Sequence, residues 1–401
     1  MTSRLTNRAG IYVQQSGGYK AFIPKRLPPD PPLRYDDEMW ALLSKADRAL
    51  GRLDGSTDIL PDPDLFVFMY VRKEAALSCQ IEGTQASLMD VLEFEAQALE
   101  PGRPQDVGEV INYIKAMNYG LDRLKEIPLS LRLIGEIHGK LLEGVRGGER
   151  RPGEFRQSQN WIGTPGIDGL STAEFVPPPP HEMRDALNDL ENFFYYQKPI
   201  PMLIKAGLLH AQFETIHPFL DGNGRLGRLL ITFLICQQEI LNRPLLYLSY
   251  FFKKNKSEYN SRLQAIRDKG DWENWLKFFL RGVYEVAQEA TQKARQIVRL
   301  REEHRASISS KMGRGAVNGL AVLEVLYSNP LISVESVSDT TGLFYANANK
   351  LVNNLCKVGI LEEITGRKRN RRFAYSSYLE LFKDSDQNGL PTQRPDAPIT
   401  P

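Results

Sequence analysis

The segment from His217 to Arg228, with the sequence HPFLDGNGRLGR, constrains this chain more than any other segment. The residues before it are apolar at helical spacing, and the residues after Gly224 are apolar on nearly every side of a helix. A helix that is apolar all round is normally buried. The pattern therefore predicts a loop between two core helices, with its glycines at the N-terminus of the second helix.

The backbone and side chains of this loop suit a polyphosphate. Gly222 and Gly224 lack a Cβ atom, so the chain can turn tightly and approach an anion, and Asn223 tolerates a left-handed conformation. Arg225 and Arg228 are three residues apart and share one helix face, and their guanidinium groups suit phosphate oxygens. The N-terminus of a helix attracts phosphate as well. We therefore predict that the loop handles a nucleoside triphosphate.

Two further residues of the segment offer reaction chemistry. Asp221 supplies a hard oxygen ligand for the Mg²⁺ that accompanies a triphosphate. His217 titrates near neutral pH and can take a proton from a hydroxyl nucleophile. Either residue alone is more often structural, but the complete set in this order favours a catalytic site.

The segment matches, at every fixed position, the signature of the Fic family (filamentation induced by cyclic AMP), His-x-Phe-x-Asp/Glu-Gly-Asn-Gly-Arg-x-x-Arg. The resemblance covers roughly residues 10–290. The stretches 151–156 and 175–180 look like parts of the family's substrate-docking hairpin, or flap. The flap residues that would meet the target are Asn160, Trp161, Ile162 and Gly163.

The resemblance implies transfer of AMP from ATP to a Ser, Thr or Tyr hydroxyl of a protein, the chain itself included, with release of pyrophosphate. In that case His217 would be the general base and Asp221 would hold Mg²⁺. The backbone of residues 222–224 would form the anion hole, and Arg225 and Arg228 would bind the β- and γ-phosphates. The flap would bind the target backbone by strand addition.

Other parts of this resemblance are weaker. Tyr247 and Asn255 stand where the family lines its adenine pocket, although Tyr247 could equally be a core residue. Trp161 could equally be a hydrophobic plug. Related proteins of this fold transfer phosphate or phosphocholine, or remove AMP, but the intact two-arginine motif favours attack at the α-phosphate of ATP.

The segment Ser78-Cys79-Gln80-Ile81-Glu82-Gly83 fits the inhibitory pattern of the family, Ser/Thr-x-x-x-Glu-Gly/Asn. Ser78 and Glu82 are four residues apart and would share a helix face. The resemblance implies that Glu82 pairs with Arg228, competes with the γ-phosphate and misaligns ATP. The alternative is an ordinary surface glutamate at a helix end.

The C-terminal region supports a different class of function. Residues 345–372 contain a helix with several asparagines followed by a basic turn, and the order of elements predicts a winged helix-turn-helix. Asparagine can read adenine in the major groove, and a basic wing can contact phosphates. The alternative is therefore a DNA-binding regulator in which the Fic core is a sensor or a secondary activity. A winged helix that serves protein interaction is equally compatible with this pattern.

The whole chain of 401 residues therefore predicts a mainly α protein with a Fic-type helical core, a small β-hairpin flap and a C-terminal winged helix-turn-helix domain. The expected parts are an N-terminal region (1–60), an inhibitory helix region (61–104), the catalytic core (105–285), a linker helix (286–311), the winged-helix domain (312–383) and a disordered tail (384–401). Within the core we expect one helix over 256–282.

Composition limits the possible partners. The formal net charge of +2 gives no overall attraction to nucleic acid or membranes. The three cysteines are far apart and lack metal-ligand spacing, which is typical of reduced thiols in the cytoplasm. We find neither a signal peptide nor a run long enough to span a membrane. The expected partner is a protein substrate, and a homodimer, the commonest soluble oligomer, is compatible with the sequence.

Overall fold

The computed structural model describes residues 7–57, 63–96, 106–163, 169–196, 199–367 and 369–383. The chain divides into two compact units, Met1–Arg295 and Gln296–Pro401. The described residues are mainly helical, as predicted. Among them, no helix is both long and apolar enough to cross a membrane.

The first unit begins with an antiparallel hairpin of β1 (Gly10–Gln14) and β2 (Lys20–Pro24). The sequence of residues 19–24 predicted extended chain, but not the strand β1 that pairs with it. The helices that follow are α1 (Asp37–Thr57), α2 (Pro63–Ile81), α3 (Leu88–Glu95), α4 (Val107–Arg123), α5 (Leu131–Leu141), α6 (Pro180–Phe194), α7 (Met202–Ile216), α8 (Asn223–Gln237), α9 (Ser249–Lys254), α10 (Lys256–Lys269) and α11 (Trp272–Lys311).

Local sequence signals explain several helix ends. Helix α2 ends at Ile81, and Gly83, two residues later, has a φ of +96°. The hydroxyl of Ser87 accepts the N–H of Asp90 in a capping box that starts α3. Ser130 caps α5 in the same way by accepting the N–H of Leu133. Short polar side chains therefore determine where these helices start.

The prediction of one helix over 256–282 was wrong. Gly270 adopts a left-handed conformation with a φ of +67° and ends α10, and α11 starts two residues later. A glycine in this conformation is a common helix terminator because it has no Cβ to clash with the backbone. The signal was present in the sequence and was overlooked.

Helix α8 is central to the first unit. It packs against α7 and also contacts α2, α4 and α5. Nearly all of its residues and those of α7 are buried, as the apolar pattern predicted. The flap is closed by a pair of backbone hydrogen bonds between Ile162 and Phe175, at 2.8 and 3.1 Å, and residues 164–168 lie outside the described part of the chain.

The second unit is a small α/β arrangement. After the end of α11 it contains α12 (Ala316–Leu326), β3 (Leu331–Ser333), α13 (Val334–Thr341), α14 (Tyr345–Lys357), β4 (Glu362–Glu363), β5 (Arg372–Ala374) and α15 (Ser376–Glu380). The strands form an antiparallel sheet in the order β3-β5-β4. Lys368 of the basic turn and the tail 384–401 lie outside the described residues.

Candidate active site

The loop of residues 217–222 joins α7 to α8, as the sequence predicted. His217 ends α7 in a left-handed conformation (φ 49°, ψ 60°), and its N–H donates to the Phe213 carbonyl at 2.9 Å. Gly222 precedes α8 with a φ of +76°, and no side chain caps that helix. The N–H groups of the first turn of α8 therefore face the site without an intrahelical partner, which is the arrangement that binds anions.

Amide side chains hold the shape of this loop. The Asn223 amide accepts the N–H of Phe219 and donates to its carbonyl, both at 2.8 Å. Asn160, which we predicted to dock a target, donates to the carbonyls of Phe219 at 2.8 Å and His217 at 3.3 Å. The structure therefore brings Asn160 of the flap onto the loop of residues 217–222.

The His217 ring is only partly exposed, and its Nδ1 atom has no hydrogen-bond partner among the described residues. Burial, together with the positive charges of Arg267 and Arg156, lowers the pKa of His217 to about 4. The imidazole is therefore neutral at pH 7 and can accept a proton, although its pKa is below the near-neutral value that we expected.

Arg228 is 2 % exposed and is held by the end of α2. Its Nε donates to the Ser78 hydroxyl at 2.7 Å, and its Nη2 donates to the Ser78 carbonyl at 2.9 Å and to Glu82 Oε1 at 2.7 Å. Burial acts to raise the pKa of Glu82, but Arg228 outweighs it and holds that pKa below its usual value. The Glu82 carboxylate lies so close to the first turn of α8 that a Cβ at Gly224 would clash with it.

Arg225 has a carboxylate partner that the sequence did not suggest. Its Nη1 donates to Glu109 Oε2 at 3.1 Å, and its Nη2 donates to Asp221 Oδ1 at 3.4 Å. Glu109 comes from α4, is buried, and also pairs with Arg146 at 3.1 Å. No local sequence signal connects Glu109 of α4 with Arg225, which lies 116 residues later in the chain.

Asp221 is the residue that fits a metal ion. Its side chain is 30 % exposed, and Oδ1 accepts the N–H of Gly222 at 2.6 Å. Among the described residues no three His, Cys, Asp or Glu side chains cluster as a metal site. A single carboxylate nevertheless suits Mg²⁺, which proteins commonly hold through one or two carboxylates together with substrate phosphates.

Two buried residues that we did not predict as site residues support the loop from outside. His138 of α5 contacts Asp221, and Arg156 donates from Nε to the His217 carbonyl at 3.0 Å. Burial lowers the pKa of His138 to about 4 and that of Arg156 to about 10. The signal that could have identified His138 and Arg156 as site residues is their burial, because buried polar groups require specific hydrogen-bond partners.

The remaining predicted residues lie further out. Tyr247 is buried and packs against Tyr70, with ring centroids 5.1 Å apart, which is the arrangement of a core residue. Asn255 lies between α9 and α10 and donates to the Phe251 carbonyl at 2.9 Å. Trp161 is 42 % exposed and does not plug the core. Gly163 directly follows Ile162 of the bridge that closes the flap. The adenine-pocket role of Tyr247 and Asn255 stays a prediction.

Comparison with protein families identifies similar domains. Residues 40–122 match the profile described as Fic/DOC family N-terminal, and residues 128–235 match the profile described as Fic/DOC family. A solved structure of a Fic family protein from Desulfovibrio desulfuricans G20 superposes with a TM-score of 0.57 at 18 % identity, covering 86 % of this chain and 97 % of that one. At this identity the likeness concerns the fold.

Curated relatives match part of the chain. A probable protein adenylyltransferase of Aquifex aeolicus is 32 % identical over 209 residues, which are 51 % of this chain and 57 % of that protein. The protein adenylyltransferase Fic of Drosophila willistoni is 29 % identical over 164 residues, which are 39 % of this chain and 30 % of that protein. The matches thus span between about a third and just over half of each relative's length.

Proposed function

Because residues 40–122 and 128–235 match the two Fic/DOC family profiles, we propose that the protein transfers AMP from ATP to a Ser, Thr or Tyr hydroxyl of a protein, itself included. The observation that carries the proposal is that a neutral His217, the uncapped N-terminus of α8 and two buried arginines of α8 lie within residues 217–228. This combination supplies a base and an anion site at adjacent positions.

In the proposed reaction His217 takes the proton of the target hydroxyl as its oxygen bonds to the α-phosphorus of ATP. The bond from that phosphorus to the bridging oxygen breaks, and pyrophosphate leaves. The N–H groups of residues 222–224 and the guanidinium groups of Arg225 and Arg228 would bind the phosphates. Asp221 would hold Mg²⁺, which supplies further positive charge to the phosphate oxygens.

We further propose that Glu82 inhibits this reaction. Its contact with Arg228 at 2.7 Å and its position against the first turn of α8 put a negative charge beside the groups that would bind the γ-phosphate. ATP must displace that carboxylate or bind out of line with the nucleophile. A displacement of about 1 Å from the reactive geometry can lower the rate about 100-fold.

Incubation with α-labelled or γ-labelled ATP, followed by intact-mass measurement, tests the reaction class. An added AMP mass with α-label retained supports AMP transfer. An added phosphate mass with γ-label retained, or an added phosphocholine when its donor is supplied, would replace the proposal with another transfer. Release of AMP from a previously modified chain would instead assign AMP removal.

DNA binding by the second unit is the second candidate. The order of α12, β3, α13, α14, β4 and β5 supports a winged helix, and Asn347 and Lys350 on α14 are exposed. In contrast, Arg371 is engaged with Asn349 at 2.6 Å and with Glu363 at 3.3 Å. Retardation of genomic fragments at low salt, weakening steeply as salt rises, would support this function, and no retarded complex would refute it.

We also propose a cytoplasmic location and a homodimer. All three cysteines are free, which supports a cytoplasmic location. A homodimer is tested by light scattering of the purified chain, where a single mass of 45.5 kDa would refute it.

A further inference from the structure

His138 of α5 lies between the catalytic loop and the loop that precedes the flap. Its Nδ1 accepts the N–H of Gly153 at 2.8 Å, and its Nε2 is 3.0 Å from the Asp221 carbonyl. A backbone N–H only donates and a carbonyl only accepts, so Nδ1 carries the lone pair and Nε2 carries the hydrogen. The contacts therefore select one neutral tautomer. The ring also stacks on Phe219, with centroids 3.7 Å apart and planes at 13°.

The hydrogen bond from Nε2 of His138 fixes the end of the loop that bears the Asp221 carboxylate. The carbonyl that it binds belongs to the Asp221–Gly222 peptide, whose N–H donates to Asp221 Oδ1 at 2.6 Å. The ring also touches the outside of this turn, because a Cβ at Gly222 would lie 3.4 Å from Nε2 of His138. Holding this one peptide therefore orients both the Asp221 carboxylate and the N-terminus of α8.

The hydrogen bond that Nδ1 of His138 accepts from Gly153 fixes the end of the loop that bears the base His217. Gly153 has a φ of +87° and packs closely on the backbone of Gly135, where a Cβ would lie 3.2 Å from the carbonyl oxygen. Three residues later, Arg156 donates from its backbone N–H to the Pro218 carbonyl at 2.9 Å and from Nε to the His217 carbonyl at 3.0 Å. The segment that His138 holds is thus the segment that holds His217.

We propose that His138, as its neutral Nε2–H tautomer, is a positioning residue that sets the placement of the base His217 relative to the anion-binding turn at Asp221–Gly222. The proposal rests on the proposed AMP transfer, because it assigns these two ends of the loop to the base and to the phosphates. His138 itself touches no reacting atom. It acts through hydrogen bonds to two separate backbone segments.

Three variants separate the effects of the two hydrogen bonds that His138 makes. His138→Phe keeps an aromatic ring on Phe219 and removes both hydrogen bonds. His138→Asn can keep an acceptor for Gly153, because its side-chain amide reaches the place of Nδ1. His138→Gln can keep a donor for Asp221, because its amide reaches the place of Nε2. The matched control is His181→Asn, since the side chain of His181 is 89 % exposed on α6 and lies outside the site.

The kinetic measurement uses the Glu82→Ala background, so that inhibition does not mask the rates. We expect His138→Phe to lower kcat by about 100-fold, which corresponds to a misplacement of about 1 Å. His138→Asn should mainly weaken Mg–ATP binding, measured by calorimetry, whereas His138→Gln should mainly lower kcat. A structural role alone would lower both quantities together with the unfolding temperature. If all three folded His138 variants kept the kcat and the Mg–ATP affinity of the Glu82→Ala parent, the proposal would be overturned.

The tautomer has a direct signature. In the ¹⁵N spectrum of the wild-type protein at neutral pH, His138 should show a protonated Nε2 and an unprotonated Nδ1, and the opposite tautomer would overturn the proposal. Absence of AMP transfer in both the wild type and Glu82→Ala would refute the proposed function separately. His138 would then be judged by Mg–ATP binding alone, where unchanged affinity in His138→Asn would refute its positioning role.

Discussion

Replacing Glu82 by alanine should accelerate self-modification. The carboxylate accepts a hydrogen bond from Arg228 at 2.7 Å and lies against the first turn of α8, at the proposed position of the γ-phosphate. Under the proposed inhibition, ATP binds productively only after this contact is broken. The free energy of the Glu82–Arg228 contact therefore reduces the free energy of productive ATP binding, and the substitution removes this cost.

The geometry gives the size of the effect. A hydrogen bond to a charged group contributes about 1.5–3 kcal/mol. The Arg228 side chain is 2 % exposed but that of Glu82 is 37 % exposed, and solvent screening of the exposed partner favours the lower part of that range. A contribution of about 1.5–2 kcal/mol corresponds to a rate increase of about 10- to 30-fold. Glu82→Gln, which removes the charge and keeps an acceptor, should give a smaller increase.

The assay follows incorporation of label from α-labelled ATP into the chain under subsaturating ATP. The matched control is Glu95→Ala, because Glu95 is also partly exposed and pairs with an arginine, Arg72, at 2.7 Å. That variant should retain the wild-type rate. A rate for Glu82→Ala within about twofold of the wild type, or an equal acceleration in Glu95→Ala, would refute the inhibitory role.

Three further outcomes are expected. His217→Ala should lower transfer by about 100- to 10,000-fold, the usual contribution of a general base, with ATP affinity unchanged by calorimetry; retained transfer would exclude His217 as the base. In the Glu82→Ala background the rate should be flat down to about pH 5.5 and fall as His217 is protonated near its pKa of about 4, whereas a fall centred near the unperturbed value of about 6.5 would contradict the burial of that ring. Gly120→Ala should destabilise the first unit by about 1–3 kcal/mol in urea unfolding, because the new Cβ would clash with the Phe233 ring between α4 and α8, whereas Gly51→Ala at an exposed position of α1 should not destabilise it.

Much of the helical fold was readable from local signals. Ser87 and Ser130 start helices because their hydroxyls satisfy backbone N–H groups that a helix leaves unpaired. The two core helices around the loop followed from their apolar character. The division of 256–282 into α10 and α11 was missed because the helical pattern was taken to continue across Gly270, which ends α10 in a left-handed conformation. The pairing of β1 with β2 was missed, although the five residues between the strands contain Gly17 and Gly18, which is a hairpin signal.

The candidate site in residues 217–228 was likewise recognisable from the sequence, because the histidine, the glycines and the arginines lie within twelve consecutive residues and need no distant partner to be recognised. Their electrostatic state was decided by the tertiary structure. Arg228 meets Glu82 across 146 positions of sequence, and Arg225 meets Glu109 across 116 positions. Burial lowers the pKa of His217 to about 4 by removing the water that would stabilise its charged form. A sequence gives the groups that a site can use, and only the folded chain sets which charges face each other and how far water reaches them.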